Sequence, residues 1–193
     1  MTATAPLADF GTMEHKQEMA TPICWLWTPL LALALGSCSY VYDLRVVAIK
    51  GHVAFVVDPA SRSQPDCVRS IEVSADRGEP KAIPAPGDDE ALVQNGSVYW
   101  WEFMDVSSCD NPFPVIYGVP LKGKRSAEVG YVAPKRLKAG VIYEVNAGSV
   151  GSGYGSAWFK ILRNGRIENY RSDPTPPMVD KDGYVINGNA AKP

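Results

Sequence analysis

The chain is poor in histidine and cysteine, with two and four among 193 residues, and its formal net charge is only -2 at pH 7. So small a charge excludes a polybasic protein built to neutralise phosphates, and no nucleic-acid partner is expected. A composition of 46% hydrophobic and 21% charged residues excludes a disordered chain. No apolar run approaches the ~20 residues of a membrane-spanning helix, and no amphipathic helical period of convincing length is present. Also missing are a Cys-x-x-Cys pair and a Gly-x-Ser-x-Gly nucleophile motif. These absences remove the common redox, zinc-ribbon and serine-hydrolase signatures.

What the sequence does contain is an apolar stretch near its start. Ile23 to Leu35 runs without a charge and closes on Gly36-Ser37-Cys38. A secretory h-region needs only ~7–15 apolar residues followed by small residues, so residues 1–37 read as a signal peptide. Met13 and Met19 are in-frame alternative starts, and beginning at Met19 would discard Asp9, Glu14 and Glu18. Leu35-Gly36-Ser37-Cys38 resembles the lipobox of bacterial lipoproteins. That resemblance implies that Cys38 is acylated and becomes the mature first residue, with membrane lipid as its partner. Ser39 resembles the residues that pass lipoproteins to the outer membrane.

Removing residues 1–37 takes away one of 19 Lys+Arg and three of 21 Asp+Glu, leaving 18 of each. The mature domain is formally neutral, and no steering field towards anionic partners is implied. Its remaining histidine is His52, and its cysteines beyond the lipidated one are Cys67 and Cys109. In an oxidising compartment these two most simply form one disulfide. A zinc site would have to recruit His52 and a carboxylate from unrelated segments, so no metal or other cofactor is expected.

Beyond residue 43 the chain alternates short β-branched or aromatic runs with Gly, Pro, Asp and Ser clusters, an all-β signature. Residues 38–43 read as a short linker, 44–171 as the folded domain, and 172–193 as a proline-rich tail. Candidate strands are Leu44–Lys50, His52–Asp58, Val68–Ala75, Ser97–Met104, Pro114–Tyr117, Ala127–Ala133, Val141–Asn146, Ala157–Leu162 and Arg166–Tyr170. The first two are joined only by Gly51 and fit one long bent strand. Asn164-Gly165 marks a hairpin. Asp76–Gly96, with three prolines and Asp88-Asp89-Glu90, reads as a long surface loop, and Gly148–Gly155 as a flexible glycine loop between strands.

Leu137-x-x-Gly140-x-x-Tyr143-x-Val145 resembles the tyrosine corner of fibronectin type III and immunoglobulin-like domains. The resemblance implies a single antiparallel β-sandwich, with the Tyr143 hydroxyl bonded to backbone between Lys138 and Gly140.

Strand alternation in Ser97–Met104 sets Tyr99, Trp101 and Phe103 on one face as core, and Val98, Trp100, Glu102 and Met104 on the other. Glu102 marks the second face as the less buried one. Trp100 and Glu102 are therefore the candidate binding residues, with Trp100 offering a plane to stack on a sugar or anchor a protein. Six cations, Lys122, Lys124, Arg125, Lys135, Arg136 and Lys138, read as solvated loop residues unless the strand between them bends. Asp180-Lys-Asp182-Gly183 is similar to the opening of a calcium loop but has no closing glutamate. The function these features imply is a lipid-anchored module that binds an envelope protein or polysaccharide. The alternative is an envelope hydrolase using Asp88, Asp89 or Glu102.

Overall fold

A computed structural model describes residues 39–78, 80–126 and 128–174. Cys38, the apolar segment and Asp180-Lys-Asp182 lie outside the described residues. The described residues contain nine strands: β1 (Tyr40–Ile49), β2 (His52–Val57), β3 (Val68–Ala75), β4 (Val98–Asp105), β5 (Val115–Ile116), β6 (Lys124–Arg125), β7 (Ile142–Ser149), β8 (Gly153–Ile161) and β9 (Ile167–Tyr170). One short helix, α1 (Glu90–Gly96), interrupts them.

The expected antiparallel sandwich is not what forms. The strands make one mixed, strongly curled half-barrel sheet in the order β5-β2-β1-β8-β7-β3-β4-β6, with β9 also paired to β8. The pair β1–β8 is parallel, and it joins β5, β2 and β1 to β8, β7, β3, β4 and β6. A tyrosine corner and an alternating pattern fix which side of a strand is buried, but they do not say whether the buried sides meet a second sheet or the same sheet curling over.

Curling requires close approach at β8. Tyr42 pairs with Gly155 and Tyr40 with Gly153, and a Cβ on either glycine would overlap the facing ring. Gly153 and Gly155 are therefore strand residues that admit aromatic rings, and Gly148 is a strand residue that admits the Ser70 hydroxyl. Only Val150–Ser152 forms the turn, with Gly151 and Ser152 at positive φ. Further along, β1 leaves β8 and β9 takes its place against Trp158–Ile161. The Asn169 side chain bridges this fork: its Oδ1 accepts the Val46 N–H at 2.7 Å and its Nδ2 donates to the Val46 carbonyl at 2.8 Å.

The turns follow local chemistry. Lys50 and Gly51 both take positive φ, the conformation of a two-residue hairpin, so β1 and β2 are separate antiparallel strands and not one bent strand. At the β8–β9 hairpin only Gly165 has positive φ, and its N–H bonds to the Leu162 carbonyl at 2.9 Å. The expected strand Ala127–Ala133 does not form. Val132 makes a single bridge to Trp101, and the neighbouring pairing comes instead from β6.

The core fills the concave side, where Tyr42, Phe55, Trp100, Tyr143 and Phe159 are essentially inaccessible. Phe113, Val115, Tyr117 and Leu121 pack against this core. The Tyr117 hydroxyl donates to the Lys135 carbonyl at 2.6 Å. Cys67 and Cys109 form the disulfide, with Cα atoms 5.3 Å apart, at the start of β3.

Tyr143 makes the expected local bond in this different architecture. It is fully buried, and its hydroxyl accepts the Lys138 N–H at 2.8 Å. Burial pushes the phenol well above its ordinary range, with Tyr99 nearby acting in the same direction.

Candidate functional site

The two residues expected to bind, Trp100 and Glu102, point into the core and are fully buried. The cause is a register shift in β4: Val73 pairs with Trp100, but Ser74 pairs with Val98, leaving Tyr99 as an extra residue. An extra residue resets the alternation. Tyr99 and Trp100 both become buried, and from Trp101 onward the faces are exchanged relative to the simple pattern. Trp100 stands edge-on to Tyr117 at 5.4 Å, with no acceptor for its indole N–H among the described residues.

Glu102 has an internal task. One oxygen accepts the Leu121 N–H at 2.7 Å, and the other lies 3.5 Å from the Arg125 guanidinium, which stacks over Tyr131. Asp88 also ties chain segments together. Its carboxylate accepts from the Ala85 and Ala133 N–H groups and pairs with Lys135. Burial acts to raise the Asp88 pKa, but the Lys135 hydrogen bond, the two backbone donors and the Lys135 charge outweigh it and hold the carboxyl below its ordinary range. Asp89 caps α1 by accepting from Ala91 and Leu92. The expected long loop thus contains a capped helix, and Val93 packs with Val98, Val132 and Trp101 outside the sheet.

Arg125 and Lys135 are engaged within the chain, so the six cations do not act as one free patch. His52 is exposed at the start of β2. Among the described residues no three His, Cys, Asp or Glu side chains are grouped to hold a metal ion, and no helix is long and apolar enough to cross a membrane.

The feature that sequence reasoning missed lies on the convex side of the sheet. Pairing places Trp101, Glu72, Asn146, Ser156 and Asp43 in one row across β4, β3, β7, β8 and β1. Four strand spacings of about 4.8 Å make this row ~19 Å long. The neighbouring row on one side contains Ser74, Glu144, Trp158 and Tyr170. On the other side it contains Phe103, Ser70, Gly148, Tyr154 and Val41, and Arg69 lies over the Phe103 ring at 5.2 Å. Trp101, Trp158, Glu72, Asn146 and Ser156 are half-buried, and Trp101 also packs against Val93, Val98 and Val132.

No protein-family model, curated protein or solved structure matches the chain. The properties of the convex face therefore rest on its own chemistry. Burial raises the Glu72 carboxyl above the ordinary glutamate range. Glu144 is raised by burial first, then by Glu72, Asp76 and Asp173 around it, against a hydrogen bond from Asn146. Carboxyl, amide and hydroxyl groups side by side offer both donors and acceptors, while the indoles offer flat apolar planes. That combination suits a ligand with alternating hydroxyls and C–H faces.

The signal for this face was present in β7 and β8. Glu144 and Asn146 alternate with Tyr143 and Val145, and Ser156 and Trp158 alternate with Ala157 and Phe159. Only the cross-strand register, which aligns them with Glu72 and Trp101, was hidden.

Proposed function

We propose that the protein is a lipid-anchored, extracytoplasmic module that holds a neutral envelope polysaccharide along the convex face of its curled sheet. The observation that supports this reading best is the row Trp101, Glu72, Asn146, Ser156, flanked by Trp158. Aromatic planes stack on the apolar faces of sugar rings, and the polar row between them hydrogen-bonds hydroxyl groups. The full row from Trp101 to Asp43, ~19 Å long, fits an extended chain better than one small molecule. The formally neutral mature domain offers no general attraction to a strongly anionic polymer. The Cys67–Cys109 bridge suits an oxidising compartment, in keeping with the signal segment.

The test is co-sedimentation of the purified protein with peptidoglycan sacculi and with isolated O-chain or capsular polysaccharide, repeated for Trp158→Ala, Asn146→Ala and Ser156→Arg. Loss of one stacked ring should weaken binding about tenfold, equivalent to ~1.4 kcal/mol. Asn146→Ala and Ser156→Arg leave the core intact and separate loss of binding from loss of fold. Retention of all three variants equal to that of the natural chain, or no polysaccharide bound by the natural chain, would overturn the proposal.

A further inference from the structure

Strand β1 begins at Tyr40, so only Ser39 separates it from Cys38. The linker expected over residues 38–43 is therefore already strand from Tyr40 onward. Two residues of fully extended chain span at most about 7 Å. Once its acyl chains enter the hydrocarbon, Cys38 is fixed at the membrane boundary, and the first residue of β1 is held within that distance of it. The domain has no slack with which to stand away from the bilayer.

The strand directions decide which end meets the lipid. Tyr40 pairs with Gly153, and the start of β3 at Val68 pairs with Ser149. The ends of β2 and β4 lie at this same end of the sheet, because each is antiparallel to a neighbour that starts there. The turn Val150–Ser152 and the Cys67–Cys109 bridge accompany them. The β8–β9 turn at Asn164 lies at the opposite end.

The anchor end carries an exposed apolar pair. Val41 is 73% exposed and Tyr154 is 58% exposed, and they are partners in the parallel pairing of β1 with β8. Among the described residues the other two large hydrophobics with such exposure are Ile83 and Val119, both in loops. Tyrosine is favoured where an apolar body and a polar tip meet the headgroup layer, which is only several ångströms deep on each side of the hydrocarbon.

We infer that Val41, Tyr154 and the turn Val150–Ser152 form a seat that rests in the headgroup layer of the bilayer holding the acyl chains, fixing the sheet with Asn164 pointing away. This inference rests on acylation of Cys38. It sets the orientation of the polysaccharide row, two residue pairs further from the membrane than Val41 and Tyr154.

The test uses the processed protein purified from a bacterium that acylates it and reconstituted in phosphatidylethanolamine and phosphatidylglycerol vesicles. Its amino terminus and mass are determined first. A nitroxide is then attached at Val41→Cys, Tyr154→Cys or Asn164→Cys, and its collision with oxygen is compared with its collision with a water-soluble nickel complex. At positions 41 and 154 oxygen access should exceed nickel access several-fold, with the reverse at 164. An acylated Cys38 terminus with equal, water-like access at all three positions would overturn the seat alone. A mature terminus other than acylated Cys38 would overturn the anchor and the seat together.

Discussion

The substitution Gly155→Ala tests whether curling of the sheet depends on aromatic rings laid directly over glycine. A Cβ at position 155 would overlap the Tyr42 ring, and Tyr42 has nowhere to retreat: it is 1% exposed, its hydroxyl donates to the Ala147 carbonyl at 3.0 Å, and its ring meets Phe113 edge-on at 6.2 Å. Forcing one extra carbon into a filled core costs about 1–3 kcal/mol. Tyr42→Ala alone removes the ring and should cost ~3–5 kcal/mol by leaving a cavity. In the double variant the new methyl enters space the ring has vacated, so its penalty should largely vanish. The expected coupling is about 1–3 kcal/mol in favour of the double variant, well above the ~0.3–0.5 kcal/mol scatter of independent sites. Urea denaturation followed by tryptophan fluorescence, with the disulfide intact, measures all four proteins. If Tyr42→Ala leaves too little folded protein, Tyr42→Leu serves in the same cycle. Simple additivity of the two changes would refute the claim that ring and glycine share one space.

Tyr143→Phe should lower stability by ~0.5–1.5 kcal/mol, the usual net value of one hydrogen bond; an unchanged denaturation midpoint would argue against the bond. Replacing Cys67 and Cys109 together by Ala opens a loop spanning a sequence separation of 42, and the chain-entropy relation gives a loss of about 4 kcal/mol, read as a shift in midpoint. For Glu144 the folded-state pKa is raised, so the folded form binds more protons than the unfolded form just above the ordinary glutamate range, and stability falls as pH rises through that window. Glu144→Gln should therefore be more stable than the natural chain at pH 7, with the difference closing as pH falls to the ordinary value of 4.5; a difference independent of pH would contradict the burial argument. Asp88 has the opposite sign: its stabilisation is present above the ordinary aspartate pKa and is lost as pH falls through its lowered value, so Asp88→Asn should flatten the acid limb of a pH–stability profile.

The positions of most strands were legible because β-branched residues alternate with polar ones and Asn164-Gly165 marks a turn, whereas Lys50-Gly51 reads as a bend within one strand. The architecture was not, because it depends on which distant strands pair. Nothing local in Tyr40–Asp43 indicates a parallel partner in Gly153–Ser156, and glycines that admit rings look like a loop when the rings are more than a hundred residues away. In β4 one extra residue at Tyr99 exchanged the inferred faces, so Trp100 and Glu102 were taken for surface while Trp101, on the convex side, was taken for core. The helix at Glu90–Gly96 was masked by its own cap: Asp88 and Asp89 read as part of a surface loop, although one binds the nearby Ala85 N–H and the distant Ala133 N–H and the other starts the helix.

The parallel pairing of β1 with β8 also dictates an order of folding. The hairpins β1–β2, β7–β8 and β8–β9 close short loops and form from local chain alone. Joining them does not: the bond from Tyr42 to Ala147 spans 105 residues, and the entropy of closing that loop has to be met before the core is complete. Until β8 is available, the edge of β1 over Tyr40–Asp43 has no partner, and Tyr40 and Tyr42 lack the glycines that receive them. An unpaired edge of this kind can accept a strand from another molecule. Refolding is therefore expected to be slow beside hairpin formation and to lose yield as protein concentration rises, with the first strand of the chain as the point of misassociation.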